Sequence, residues 1–196
     1  MDEESGRISQ KHYSHKKRYV RDNGLTLMEE MLANKEFHVA PWSMLFRKDF
    51  LSKYDLSFEE GIIYEDMVFA YQVFCKANIV TYVPEYLYFR RYRENSVMTS
   101  KVGKKNFISA CKVYECVQNY SVKRNSYIIR CAYNVLNVYE RLNREDKRVF
   151  RGEYEMMKKR ILKDNAHGDK ALMLRCYGKI WWFIYKVFWK VTRSYQ

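Results

Sequence analysis

From Val102 to the end of the chain no stretch carries a strand signal, and turn formers are scarce throughout: Gly occurs 7 times and Pro 2 times in 196 residues. A sheet protein needs turns every few residues, and this chain has few residues to make them. The composition therefore favours long helices. Apolar spacing predicts helices over roughly 102–120, 124–143, 146–164 and 169–192. Hydrophobic residues make up 47% of the chain, enough to build a core and too many for wholesale disorder.

The first hundred residues read differently. Residues 1–23 are polar and expected to be irregular. Leu25–Asn34 has helical spacing, with Leu27, Met28, Met31 and Leu32 on one side. Phe37–Ala40 is a short strand candidate, and Lys48–Lys53 a helical turn or two. Glu65–Ala77 has Met67, Ala70, Phe74 and Ala77 at helical spacing, with acids in its first turn. Ile79–Val83 is β-branched and aromatic and reads as a strand, ended by Pro84; Tyr86–Tyr92 is a second strand candidate. These readings divide the chain into a polar segment 1–23, a mixed α/β part 24–100 and a basic helical part 101–196.

Charge follows the same division. Residues 1–100 hold 14 Lys/Arg against 15 Asp/Glu, and residues 101–196 hold 22 against 8, so the net +13 comes entirely from the second half. Such asymmetry suits an anionic partner, or else a set of well-solvated helices. Five cysteines, at 75, 111, 116, 131 and 176, include no C-x-x-C pair. They read as reduced, mostly packed thiols of a cytosolic protein. The first twenty residues lack the pattern of a signal peptide. His12 and His15 stand in KHYSHKKR without acidic or thiol companions and read as surface rather than metal ligands.

Glu65 and Asp66 raise the central question. Acids at a helix start accept hydrogen bonds from unpaired N–H groups and gain from the dipole, which makes them a cap. A carboxylate there can also take a proton from a hydroxyl, which makes it a general base that the dipole would keep ionised. Both readings stand on the residues alone.

Their surroundings add a resemblance. The run His38–Met98 contains VAPWSMLFRKDFL at Val39–Leu51, F-E-E-G at Phe58–Gly61, the Glu-Asp pair opening a helix at Tyr64–Phe69, a Pro84–Arg90 segment, and the R-x-x-S turn Arg93–Ser96. In this order they resemble the acceptor-side half of family-2 glycosyltransferases with a GT-A fold, of the type that builds bacterial capsular, exopolysaccharide or O-antigen sugars. The resemblance implies that Asp66 is the base that deprotonates an acceptor hydroxyl, with inversion at the anomeric carbon, and that Glu65 orients the acceptor or supports the base. It implies that Trp42 lines the acceptor pocket, against the alternative of a core Trp. It places Arg91, Arg93 and Ser96 at the loop over the active site, where guanidinium groups suit pyrophosphate; the alternative for Arg90, Arg91 and Arg93 is a solvated strand edge. The expected fold is α/β, a partial GT-A with few strands, followed by an all-helical C-terminal region, with helix predominant by residue count.

The family's donor-side half carries a D-x-D motif for Mg²⁺ or Mn²⁺. No D-x-D and no Gly-rich phosphate loop occur in this sequence. The chain therefore reads as a C-terminal half, with no metal or cofactor of its own and little transfer activity alone. Its expected partners are a nucleotide sugar, a glycan or lipid-linked acceptor, and a separate N-terminal half.

The tail GKIWWFIYKVFWKVTRS adds a membrane expectation. Lys186 and Lys190 share a helical stripe with Arg175, Lys179 and Arg193, while Trp181, Trp182, Trp189 and other apolar residues fill the run between. The segment is too short and too often broken by Lys to span a bilayer, and suits a helix lying in the interface. Its alternative is a terminal helix packed on the α/β part. The expected place is the cytoplasm, peripheral at the inner face of the cell membrane. Two rival functions remain: a non-catalytic remnant or partner subunit, and a nucleic-acid binder, against which no helix-turn-helix, RNP or zinc-finger pattern is present.

Overall fold

A computed structural model describes residues 19–21, 23–83, 87–88, 101–120 and 125–164. The protein is predominantly helical. Strand β1 (Val20–Arg21) leads into α1 (Gly24–Ala33), a 3-10 turn (Pro41–Ser43), α2 (Lys48–Lys53), α3 (Glu65–Lys76), β2 (Val80–Thr81), α4 (Lys104–Tyr120), α5 (Ser126–Arg141), α6 (Arg144–Val149) and α7 (Arg151–Asp164).

The α/β character expected for residues 24–100 is largely absent. Among the described residues the sheet is one antiparallel ladder, with Val20 opposite Thr81 and Arg21 opposite Val80. Half of that ladder comes from the segment expected to be irregular. Buried Tyr19 explains the ordering: its hydroxyl donates to Glu36 Oε2 at 2.6 Å, and its carbonyl accepts from the Tyr82 N–H at 2.8 Å. Phe37–Ala40 forms no ladder. Phe37 instead buries its ring edge-on against Phe74 and Tyr127, and its carbonyl takes a side-chain donor. Leu87 and Tyr88 of the second strand candidate are not in a strand; the rest of Tyr86–Tyr92 lies outside the described residues.

The helices form where local signals coincide. Asn23 caps α1 by accepting from the Thr26 N–H at 3.0 Å, and Gly24, Leu27, Met28 and Met31 make its buried stripe. Both α1 and α2 end with a non-glycine residue in the left-handed region, Lys35 (φ 60) and Asp55 (φ 49). After α1, the Glu36 N–H reaches Met31 O and the Lys35 N–H reaches Leu32 O; after α2, Leu56 and Asp55 repeat this to Leu51 and Ser52. These paired bonds satisfy the last carbonyls and turn the chain. The helix expected over 146–164 begins earlier and is two helices. Asn143 caps α6 by accepting from the Asp146 N–H at 2.8 Å, and Phe150 breaks the run, its ring 5.5 Å from that of Phe107.

Helix α3 is central because it is buried on two sides. Met67, Val68, Tyr71 and Phe74 join the main core, while Phe69 and Val73 pack with Leu56, Phe46 and Phe50 in a smaller cluster beside α2. The main core runs from Tyr19 to Ile161, so the helices on both sides of residue 100 share it. Gly24 marks the tightest approach. A Cβ there would lie 2.3 Å from Phe74 O, and its N–H donates to Ala77 O at 2.9 Å. Helix propensity alone favours Gly24→Ala by about 1 kcal/mol. The clash is with backbone, which cannot rotate away, so we expect net destabilisation of about 1–3 kcal/mol in urea unfolding.

Candidate functional site

The site is built around the first turn of α3. Tyr64 occupies the N-cap position and gives no side-chain cap bond; Glu65 and Asp66 follow as the first two helical residues. Burial pushes the Asp66 carboxyl above its ordinary range, and the charge of Glu65 adds to the rise. The backbone N–H groups of Met67 and Asp66, and the guanidinium of Arg130, pull the other way without cancelling it. The helix N–H groups favour the ionised carboxylate, and desolvation outweighs them. Cap and base are not exclusive here. Backbone N–H groups of the first turn favour the carboxylate, and it is also half-buried with a raised affinity for a proton.

Side chains from the helical part surround this turn. Tyr127 of α5 donates to the Met67 carbonyl at 2.8 Å, and the Asn134 amide stands 4.0 Å from the Met67 sulfur. From α4, Ser109 accepts from the Ile63 N–H at 3.2 Å, and Asn106 donates to the Tyr64 hydroxyl at 2.9 Å. Arg130 donates to the Phe37 carbonyl at 3.2 Å. The sequence reading missed all five. Their only trace in the sequence is a polar residue beside each apolar stripe, as Arg130 and Asn134 stand beside Tyr127, Cys131 and Val135.

Trp42 sits in the 3-10 turn, outside both core clusters, and is 37% exposed. Its ring stacks on exposed Tyr88, with centroids 4.6 Å apart and planes at 24°. The stack covers one face of the Trp42 ring with that of Tyr88. Arg90, Arg91, Arg93 and Ser96 lie outside the described residues, as do Trp181, Trp182, Lys186, Trp189, Lys190, His12, His15 and Cys176.

The cysteines offer no activated nucleophile among the described residues. Burial pushes the Cys75 thiol up to about 11 and those of Cys111 and Cys131 to about 12, and raises Cys116 as well. A protonated, packed thiol is inert. Among the described residues no group of three or more His, Cys, Asp and Glu could hold a metal ion, and no helix is long and apolar enough to cross a membrane.

Fold and site together define a predominantly helical protein with a half-buried carboxylate at the start of its central helix. No family model, curated protein or solved structure matches the chain.

Proposed function

We propose that this chain is the acceptor-side half of an inverting family-2 sugar transferase acting in bacterial cell-surface polysaccharide synthesis. The observation that carries the reading is Asp66: a carboxyl at a helix start, half-buried, with its proton affinity raised by desolvation. A general base works best when its pKa is drawn toward the operating pH, and burial does that for a carboxylate. In the proposed step Asp66 takes the proton of an acceptor hydroxyl. The oxygen attacks the anomeric carbon of a nucleotide sugar, the bond to the diphosphate breaks, and the nucleoside diphosphate leaves with the electron pair. Glu65 supports the base and Trp42 stacks on the acceptor ring. Arg91, Arg93 and Ser96 serve the loop over the site.

The residues present do not fit the Mg²⁺ or Mn²⁺ that the resemblance brings with it. The sequence has no D-x-D, and the described residues offer no ligand cluster. On this reading a donor-side half supplies the metal and nucleotide sites. The tail residues Trp181, Trp182, Lys186, Trp189 and Lys190 hold the protein at the inner membrane surface, near lipid-linked acceptors.

An array of bacterial polysaccharide fragments probed with the whole chain tests this. Binding to at least one glycan is expected. Trp42→Ala should weaken it about tenfold, equivalent to about 1.4 kcal/mol, while Asp66→Asn, which keeps shape and hydrogen bonding, should leave it in place. A chain that binds no glycan above background would sink the acceptor-half reading.

A further inference from the structure

We infer that the outward face of α6 and α7 docks on a bilayer surface rich in anionic phospholipid. The opposite face defines it. Asp146, Phe150, Tyr154, Met157 and Ile161 follow at helical spacing and turn inward. Met157 and Ile161 belong to the main core, Phe150 and Tyr154 pack against it, and Asp146 is buried. Hydrogen bonds carry the helical register across the break: the Phe150 N–H donates to Asp146 O, and the Tyr154 N–H to Phe150 O, both at 2.9 Å. A step of two residues turns about 200° around a helix. Two residues on from each inward position stand Arg148, Gly152, Met156, Lys159 and Lys163, with Arg144 one turn before them. All six are exposed.

The cations of this row are free. Arg144, Arg148, Lys159 and Lys163 make no ion pair among the described residues, whereas nearby Lys158 is held by Glu155 at 2.9 Å and Arg160 by Glu115 at 2.8 Å. Exposed Glu145, beside Arg144, offsets one charge of the four. Apolar side chains stand among them: Met156 is 64% exposed, and Val149, beside Arg148, is 57% exposed. Gly152 leaves open space between.

This mixture selects the partner. Anionic headgroups attract clustered Lys and Arg, and exposed Met and Val can enter the boundary between headgroups and acyl chains. A phosphate backbone would satisfy the cations and leave both apolar side chains without a partner. Residues 165–196 follow α7 directly and carry the Trp and Lys run proposed above as a membrane contact. The α6–α7 face is a second contact, so the inference deepens the membrane part of the proposed function and stands apart from its transferase step.

Sedimentation with phosphatidylcholine vesicles, with and without phosphatidylglycerol, tests it on the full chain. Trp181→Ala, Trp182→Ala and Trp189→Ala together remove the aromatic anchor of the tail. This chain should still bind the phosphatidylglycerol vesicles at low salt, and the purely zwitterionic ones far less. Adding Arg144→Gln, Arg148→Gln and Lys159→Gln should weaken that binding by roughly tenfold to a hundredfold. Adding Lys35→Gln, Lys48→Gln and Lys53→Gln instead removes equal charge from exposed positions at α1 and α2 and should change it less than about twofold. All six positions are exposed, so the variants should fold, which circular dichroism checks. Equal losses in the two sets overturn the inference, because net charge rather than this face would then drive binding. A tail variant that no longer binds overturns it while leaving the tail contact in place, and a native chain that binds no vesicle removes both contacts. Tighter binding to duplex DNA than to phosphatidylglycerol vesicles overturns the choice of lipid. None of these outcomes depends on the glycan array.

Discussion

Asp66→Asn should cut sugar transfer by roughly 10²–10⁴-fold, the span that a positioned general base contributes, when the donor-side half is supplied. The same substitution should leave the fold as stable as before, or more so, at neutral pH. The sign follows from burial. The folded carboxyl holds its proton to higher pH than the unfolded one. Its stabilising contribution is therefore full below the ordinary carboxyl range and is lost as pH rises through the raised folded value. At neutral pH the charge sits desolvated at a net cost, and a neutral amide removes that cost. A carboxylate serving only as a cap gives a different pattern: Asp66→Asn keeps the hydrogen bond, whereas Asp66→Ala truncates the cap at a loss of about 0.5–2 kcal/mol. Activity of the Asn variant and thermal unfolding of both variants thus separate the two readings that the sequence left open. Lost transfer in Asp66→Asn with an unchanged or higher unfolding midpoint is the signature of a base. Transfer retained in Asp66→Asn, with a lower midpoint in Asp66→Ala, would mean that Asp66 only caps α3.

Phe107→Ala should be the most damaging single truncation in the helical part. Phe107 is 1% exposed, and its ring lies 5.4 Å from Tyr139, 5.5 Å from Phe150 and 6.5 Å from Tyr154. Through it α4 touches α5, the break after α6, and α7. Removing a buried aromatic ring costs about 3–5 kcal/mol, a large share of the roughly 5–15 kcal/mol that holds a domain together. The urea midpoint should fall by roughly 1 M or more at the slopes usual for small proteins. The adjacent Ile108 is 54% exposed, and Ile108→Ala should change stability by less than about 0.5 kcal/mol. Equal losses at both positions would mean that the α4 face is assigned wrongly.

The legible parts of this protein are those decided within a few residues. The helical spacing of Leu27, Met28, Met31 and Leu32 marks α1. Lys48–Lys53 and the acid-led run from Glu65 fall where helix periodicity puts them. The expectations for α4 and α5 hold to within two residues. The misreadings share one cause. Phe37–Ala40 has strand-like residues, but nothing pairs with it, because Phe37 fills a gap among Phe74, Tyr127 and Arg130. The ladder partner of β2 comes from a segment sixty residues earlier that carries no strand pattern of its own. Lys35 and Asp55 adopt left-handed backbone without being glycine, because two hydrogen bonds at each helix end hold them there.

The site divides along the same line. Sequence by itself determined that the chain is mainly helical, that acids open its central helix, and that excess positive charge lies after residue 100. Each of these depends on spacing or composition, which survives without coordinates. Only the tertiary structure decided how far Asp66 is desolvated, that Trp42 stacks on Tyr88 at the surface, and that α5 brings Tyr127 and Asn134 to the start of α3. The physical reason is that desolvation and electrostatic coupling depend on distance in space. Residues 67 and 127 are far apart along the chain, and only the packing of a shared core brings them together.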